Sequence, residues 1–293
     1  MQLPAGFESF WHETTEEARS APLDVSGPYP SSRDSATHRV EVLTYRGMGG
    51  CERHAWVAWP EVEQGAFLWV PPYSRWSMKP NEYGTREGYV SLSPNLLGED
   101  AFHDEVYTPA RGYFAEGVGS PNTYILKRLY QDSLLALRAL QALSGFDSEK
   151  TGSMGMSQGG GISVWLGAWS GLVGAVVADM PFLSEINKVL AEDRAFRYPM
   201  KELVDWREAN ADGPARLERT LSYYDTSSQA AFCHVPTLIT LGLKDPAVKP
   251  FQAEAVFDAL PGTKELVKMD WGHDWHPSMV DRNLDWLDRH LAV

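Results

Sequence analysis

Gly155-Met156-Ser157-Gln158-Gly159 sets a serine between glycines in the G-x-S-x-G spacing of a nucleophile elbow. A serine hydroxyl attacks a carbonyl only if a base takes its proton and a sharp turn exposes it. The flanking residues predict that turn. Lys150 to Met154 reads as a short strand rising from a turn at Ser144-Gly145. After the elbow, Gly159-Gly160-Gly161 leads into Ile162 to Trp169, which reads as a buried helix. The glycines remove side chains that would collide where strand meets helix. Ser157 would stand at the helix start, where main-chain N–H groups favour developing negative charge. Five such residues also occur in ordinary loops, and the strand and helix around them are what favour the catalytic reading.

The base that suits this role near neutral pH is histidine, held in one tautomer by a carboxylate. Behind an elbow of this kind the chain order is Ser, acid, His. Asp245 follows the apolar run Val235 to Leu241 in Gly242-Leu243-Lys244-Asp245-Pro246, and His273 follows the next strand in Trp271-Gly272-His273-Asp274. Asp179, after the strand beyond the elbow helix, competes as the acid, and His276 competes as the base. The strand-then-loop order favours Asp245, and the glycine before His273 suits a tight loop. Asp245-Pro246 is also an ordinary turn signal. The His273 to His276 cluster lacks further ligands at metal-binding spacing, so no metal is expected. One oxyanion donor would be the N–H of Gln158. The other would come from the loop Pro71-Pro72-Tyr73-Ser74-Arg75 after the strand Ala66 to Val70. Pro72 has no N–H, which leaves Tyr73 and Ser74.

These residues need a scaffold that brings strand ends together. Phe7 to Arg19 carries Phe7, Phe10, Trp11 and Ala18 at helical spacing, and Pro22 to Ser35 reads as a loop. His38 to Tyr45 and Arg53 to Trp59 alternate as strands across a turn at Arg46 to Gly50, and Ala66 to Val70 and Gly88 to Leu92 follow as strands. Leu97 to Asn122 is a long aperiodic connection of the kind that is functional or interfacial. Asn122 is a candidate cap for a helix carrying Leu126 to Leu140 at helical spacing and closed by Gly145. Leu172 to Ala178, Val235 to Leu241 and Glu265 to Met269 read as strands, and Phe251 to Leu260 and Pro277 to Leu291 as helices. The charged, helical stretch 181–226 interrupts the alternation and reads as an insertion forming part of a lid. Strand alternating with helix predicts an α/β chain with a doubly wound, mostly parallel sheet, the α/β-hydrolase fold, in a single domain over 1–293 with the helix 7–19 packed on its body.

Composition narrows the partners. A formal net charge of −13 argues against nucleic acid and anionic membranes. No apolar run is long enough to span a bilayer, and the first residues lack a basic region followed by an apolar core, so a cytoplasmic protein is expected. Cys51 and Cys233 form no ligand pattern and read as separate buried thiols in a reducing compartment. The eleven tryptophans read mainly as core.

Longer strings carry a resemblance. Ser157-Gln158-Gly159-Gly160-Gly161, Asp179-Met180-Pro181-Phe182-Leu183, Arg219-Thr220-Leu221-Ser222-Tyr223-Tyr224-Asp225, the Val235-Pro236 to Asp245 stretch and Gly272-His273 resemble the acetyl xylan esterase / cephalosporin C deacetylase family, carbohydrate esterase family 7. Phe7-Glu8-Ser9-Phe10-Trp11 with Pro22-Leu23-Asp24 resembles its N-terminal helix and loop. The resemblance implies a serine esterase acting on acetyl or other small acyl esters, with Ser157, Asp245 and His273 as its triad and no cofactor. It puts the second oxyanion donor on Tyr73. Trp76, Pro181 and Phe182 are then expected near the substrate. The chain departs from the family pattern at Asn95-Leu96-Leu97-Gly98, which stands where the family has R-G-Q-G, and at Pro72, which replaces a glycine. The Gly98–Asn122 segment is shorter than the family's intersubunit loop. A homo-oligomer smaller than the family's ring-like hexamer is therefore expected, with a dimer favoured. Fold and triad do not name the leaving group, so a peptidase or a thioesterase would use the same residues. A catalytically silent binding protein is the reading from another class. Its usual mark is a lost triad member, and none is missing.

Overall fold

The computed structural model describes residues 3–33, 35–74, 77–102, 110–192 and 197–291. Its strands are β1 (Val25–Pro30), β2 (Arg39–Arg46), β3 (Glu52–Trp59), β4 (Gly65–Val70), β5 (Tyr89–Asn95), β6 (Thr151–Met156), β7 (Ala175–Asp179), β8 (Thr237–Gly242) and β9 (Lys264–Met269). They form one nine-stranded sheet in the order β1-β2-β3-β5-β4-β6-β7-β8-β9. Pairings from β1 to β5 along that order are antiparallel, and those from β5 to β9 are parallel. Strands β4 to β8 are buried along their whole lengths, as strands covered on both faces are. The crossovers return each parallel strand with its C-terminal end on one edge, so the loops after β4, β6, β8 and β9 open together.

The helices are α1 (Phe7–Ser20), α2 (Ile125–Ser144), α3 (Gln158–Trp169), α4 (Ile186–Glu192), α5 (Met200–Ala209), α6 (Gly213–Tyr224), α7 (Thr226–Ala230), α8 (Pro250–Ala259) and α9 (Ser278–His290). Helix α3 is apolar nearly all round and runs through the core behind the elbow. Helix α1 straps the molecule through Trp11. That indole is fully buried, stacks on Tyr130 at 5.5 Å and donates to the Tyr223 carbonyl at 3.0 Å. Helices α4 to α7 fill the long interval between β7 and β8, where the charged stretch 181–226 predicts helix.

Three sequence expectations need correction. The loop expected at Pro22 to Ser35 contains β1. Its prolines lack N–H groups, which an edge strand tolerates, and its mostly exposed residues carry no apolar alternation to signal it. Asn122 does not cap α2. Tyr124 precedes the helix without a side-chain cap, and the Ile125 N–H donates instead to the Glu116 carbonyl at 2.9 Å, so the preceding turn supplies the acceptor. Cys51 is exposed beside the β2–β3 turn, whereas Cys233 is buried as expected. At the other end of α2, Gly145 takes a left-handed φ of 74° and closes the helix onto Gln141.

Candidate active site

Ser157 joins β6 to α3 with φ 56° and ψ −119°, a conformation that costs a residue with a Cβ roughly 1–3 kcal/mol. Neighbouring main chain pins it there. The Ser157 N–H donates to the Asp179 carbonyl at 2.9 Å, and its carbonyl accepts from Phe182 N at 2.9 Å and Gly161 N at 3.1 Å. The elbow glycines have a measurable steric reason. A Cβ on Gly155 would stand 2.4 Å from the Gly159 carbonyl carbon, and one on Gly159 would stand 2.1 Å from the Val70 carbonyl oxygen. The elbow thus lies directly against the end of β4, so Ser157 and the loop after β4 share a joint. Ser157 lies at the start of a 12-residue helix, where main-chain donors face developing negative charge.

Asp245 and His273 come together from the loops after β8 and β9. Asp245 Oδ2 and His273 Nδ1 are 2.7 Å apart. The other carboxylate oxygen accepts from Ala247 N at 2.7 Å and Val248 N at 2.8 Å. The Asp245 side chain is fully buried, and these main-chain donors fix its orientation towards His273. With Nδ1 engaged, the His273 nitrogen left to exchange protons is Nε2. The two loops are clamped to each other. Leu243 N donates to the Met269 carbonyl at 2.8 Å and Lys244 N to the Trp271 carbonyl at 2.9 Å. A Cβ on Gly242 would lie 2.6 Å from that Trp271 oxygen, so Gly242 permits the approach.

The competing residues are occupied elsewhere. Asp179 is fully buried and accepts from Thr240 Oγ1 at 2.7 Å and Asn283 Nδ2 at 3.0 Å. Burial pushes its carboxyl above the ordinary range, against the pull of those donors and of Arg86. His276 Nδ1 pairs with Ser278 Oγ at 2.8 Å. Among the described residues no three His, Cys, Asp or Glu side chains gather as a metal site would require.

Gln158, the first residue of α3, is buried beside Ser157. Tyr73 follows β4 and Pro71-Pro72, and its ring stacks on Tyr113 with centroids 4.6 Å apart. Phe182 is buried and packs on Phe114 at 5.6 Å, while Pro181 Cα lies 3.2 Å from where a Gly160 Cβ would be. Trp76 lies outside the described residues. Two neighbours of Tyr73 carried no signal in the sequence. Tyr113 lies in an aperiodic run, and Glu202, on a charged helix, reads as part of a solvated face. Both are buried.

Comparison with known proteins gives the family and the fold. The family model described as acetyl xylan esterase (AXE1) matches residues 1–290. The acetyl esterase Axe7A of Xylanibacter ruminicola is 24% identical over 304 residues, spanning 98% of this chain and 67% of that protein. The solved acetyl xylan esterase from Paenibacillus sp. R4 superposes with a TM-score of 0.87 at 20% identity, covering 99% of this chain and 96% of that one. Acetyl xylan esterase 1 from Thermoanaerobacterium sp. JW/SL YS485 gives a TM-score of 0.80 at 20% identity, covering 97% and 93%. The fold is the α/β-hydrolase fold, and with the family model spanning nearly its whole length, the chain belongs to the acetyl xylan esterase family.

Proposed function

We propose that the protein is a serine esterase that removes acetyl and other small acyl groups from acetylated sugars or similar small esters. The observation that carries this reading is the 2.7 Å pairing of Asp245 with His273 on loops at the same sheet edge as the strained Ser157 elbow. In this scheme Ser157 Oγ attacks the ester carbonyl carbon while His273 Nε2 takes the hydroxyl proton. Asp245 stays ionised and stabilises the imidazolium. The N–H groups of Gln158 and Tyr73 receive the oxyanion. The tetrahedral intermediate collapses, the ester C–O bond breaks, and the alkoxide leaves with the proton from His273. Water repeats the sequence on the acyl-enzyme and releases the carboxylic acid. The chemistry needs no cofactor.

Tyr73, Trp76, Pro181 and Phe182 are read as the walls of a small acyl pocket, and the helical insertion 181–226 as its cover on a single-domain body. A dimer and a reducing, cytoplasmic location complete the proposal. The two unpaired cysteines and the acidic charge support the location, and among the described residues no helix is long and apolar enough to cross a membrane.

The test is Ser157→Ala. The native chain should be labelled by an organophosphate and hydrolyse acetyl esters, with each unaccommodated methylene of a longer acyl chain costing about tenfold in kcat/KM. The variant should fold, resist labelling and lose roughly 10⁴-fold or more in kcat. Retention of a tenth of the native rate, or faster turnover of octanoyl than acetyl esters, would count against the reading. Preferential cleavage of an acetyl anilide would point to a peptidase.

A further inference from the structure

The loop that carries Tyr73 has little main chain with which to hold itself. Pro71 and Pro72, which connect it to β4, have no N–H to donate. Ser74, just after it, has φ 154°, a region a side-chain-bearing residue leaves unless its surroundings hold it. Side chains of two distant segments contribute to the hold. Tyr113, in the turn-rich run before α2, stacks its ring on that of Tyr73. Its buried hydroxyl donates to Gln158 Oε1 at 3.3 Å. Burial pushes this phenol far above its ordinary range, so it remains a neutral donor. Glu202 of α5 is 2% exposed. Its Oε1 accepts from the Tyr73 hydroxyl at 3.3 Å and Gly112 N at 2.8 Å, and its Oε2 accepts from Ala115 N at 3.4 Å. Gly112 lets the Tyr73 hydroxyl come close, since a Cβ there would stand 2.2 Å from it.

We propose that Tyr113 and Glu202 are positioning residues of the oxyanion hole: Tyr113, stacked on the Tyr73 ring and bonded through its hydroxyl to the Gln158 side chain, ties the two donor residues together, and the Glu202 carboxylate holds Tyr73 against the 112–115 turn. This rests on the reading that Gln158 and Tyr73 supply the oxyanion donors. Such donors act only when they lie about 2.7–3.1 Å from the developing charge, so a few tenths of an ångström at this joint fall on the transition state rather than on substrate binding. One residue engaged with both halves, by its ring on Tyr73 and by its hydroxyl on Gln158, fixes that gap. Glu202 extends the control to α5, which makes the helical insertion a mechanical part of the hole as well as a cover.

Tyr113→Phe keeps the ring stack and removes only the hydroxyl. With active sites counted by organophosphate titration, kcat per site on an acetyl ester should fall about 10- to 100-fold with KM within about threefold. Affinity for a boronic acid, which forms a charged tetrahedral adduct on Ser157, should fall by the same factor. Inhibition by the product alcohol should not change, and the pH profile of kcat/KM should keep its midpoint because His273 and Asp245 are untouched. Glu202→Ala should match Tyr113→Phe, and Glu202→Gln, which keeps an acceptor oxygen, should recover most of the rate. Native kcat per site and native boronate affinity in Tyr113→Phe would overturn the inference, as would a loss explained wholly by fewer titratable sites. If the native chain reacts with neither organophosphate nor boronate, the assignment of Ser157 falls and takes this inference with it.

Discussion

The two sides of the proposed site are built by different means. The acid–base side is local. Asp245 and His273 lie just past the ends of the adjacent parallel strands β8 and β9, and main-chain hydrogen bonds between the two loops bring the carboxylate to 2.7 Å from the imidazole. The oxyanion side is assembled from afar. Tyr73 is held by Tyr113 and Glu202, one from the run before α2 and the other from the inserted helices. The first side depends on the pairing of β8 with β9. The second depends on side-chain bonds that can be removed singly without disturbing the sheet. In the proposed scheme the acid and base are thus placed by backbone pairing, whereas the hole is placed by side chains from separate segments.

The hardest blow to the local side is Asp245→Asn. The variant keeps volume and shape but loses the charge that selects the His273 tautomer and stabilises its cation. It should lose about 10⁴-fold in kcat with a near-native fold. Proton NMR gives an independent reading, because the downfield imidazole N–H resonance of the Asp245–His273 pair should vanish. Asp179→Asn should leave kcat within about threefold, since Asp179 bonds Thr240 and Asn283 and its side chain has no bond to His273. The opposite ranking would mean that the acid is Asp179 and that the pairing of β8 with β9 does not build the site.

The joint between the two sides is tested by Gly159→Ala. The new Cβ would stand 2.1 Å from the Val70 carbonyl oxygen and 2.8 Å from that of Pro71, both backbone, so α3 and the Tyr73 loop must move apart. The expected result is a loss of roughly 10²-fold in kcat from the widened hole, with about 1–3 kcal/mol of overpacking strain. The downfield His273 resonance should survive, because the local side is not touched. Its loss together with the activity would show that the two sides move as one body.

Legibility in the sequence follows the same division. Ser157, Asp245 and His273 could be proposed as a triad because each sits in a short string whose glycines and strand context are dictated by backbone geometry. Gly155 and Gly159 are glycines because of contacts under 3 Å, and that constraint is visible in one dimension. Strands β4, β7 and β8 were readable because burial on both faces forces apolar runs, whereas β6 was read from the elbow that follows it. Strand β1 was not, since an exposed edge strand needs no apolar pattern. Tyr113 and Glu202 left no trace, because their roles depend on which distant segments fold together. A glutamate on the charged α5 looks like any solvated carboxylate until its neighbours are known. Asp225 was visible only as the last residue of the Arg219 to Asp225 string, with nothing to say what it does.

Asp225 gives the smallest expected effect on activity and a clear one on stability. It caps α7, its Oδ1 accepting from Ser227 N at 2.9 Å, and the next residue, Thr226, donates its hydroxyl to the Phe182 carbonyl at 2.6 Å beside the elbow. Burial pushes the Asp225 carboxyl up to about 6, against donors that pull it down. The folded state therefore holds this proton more tightly than the unfolded chain does. Below about pH 4 the group is protonated in both states and costs nothing. As pH rises from there, the unfolded chain ionises first, so the stability contribution is lost progressively and is gone above about pH 6. The full difference is up to about 3 kcal/mol. Asparagine is an equally good cap and carries no charge. Any hydrogen bond that Asp225→Asn forfeits costs the same at every pH, so the slope is the diagnostic. The variant's Tm minus the native Tm should climb between pH 4 and 6.5 and then level off, while kcat at pH 7 stays within about twofold because the Thr226 contact to the elbow is kept. A flat difference across that range would mean that Asp225 ionises freely in the folded protein. A large loss of kcat would mean that the α7 cap, like Glu202, belongs to the machinery of the hole.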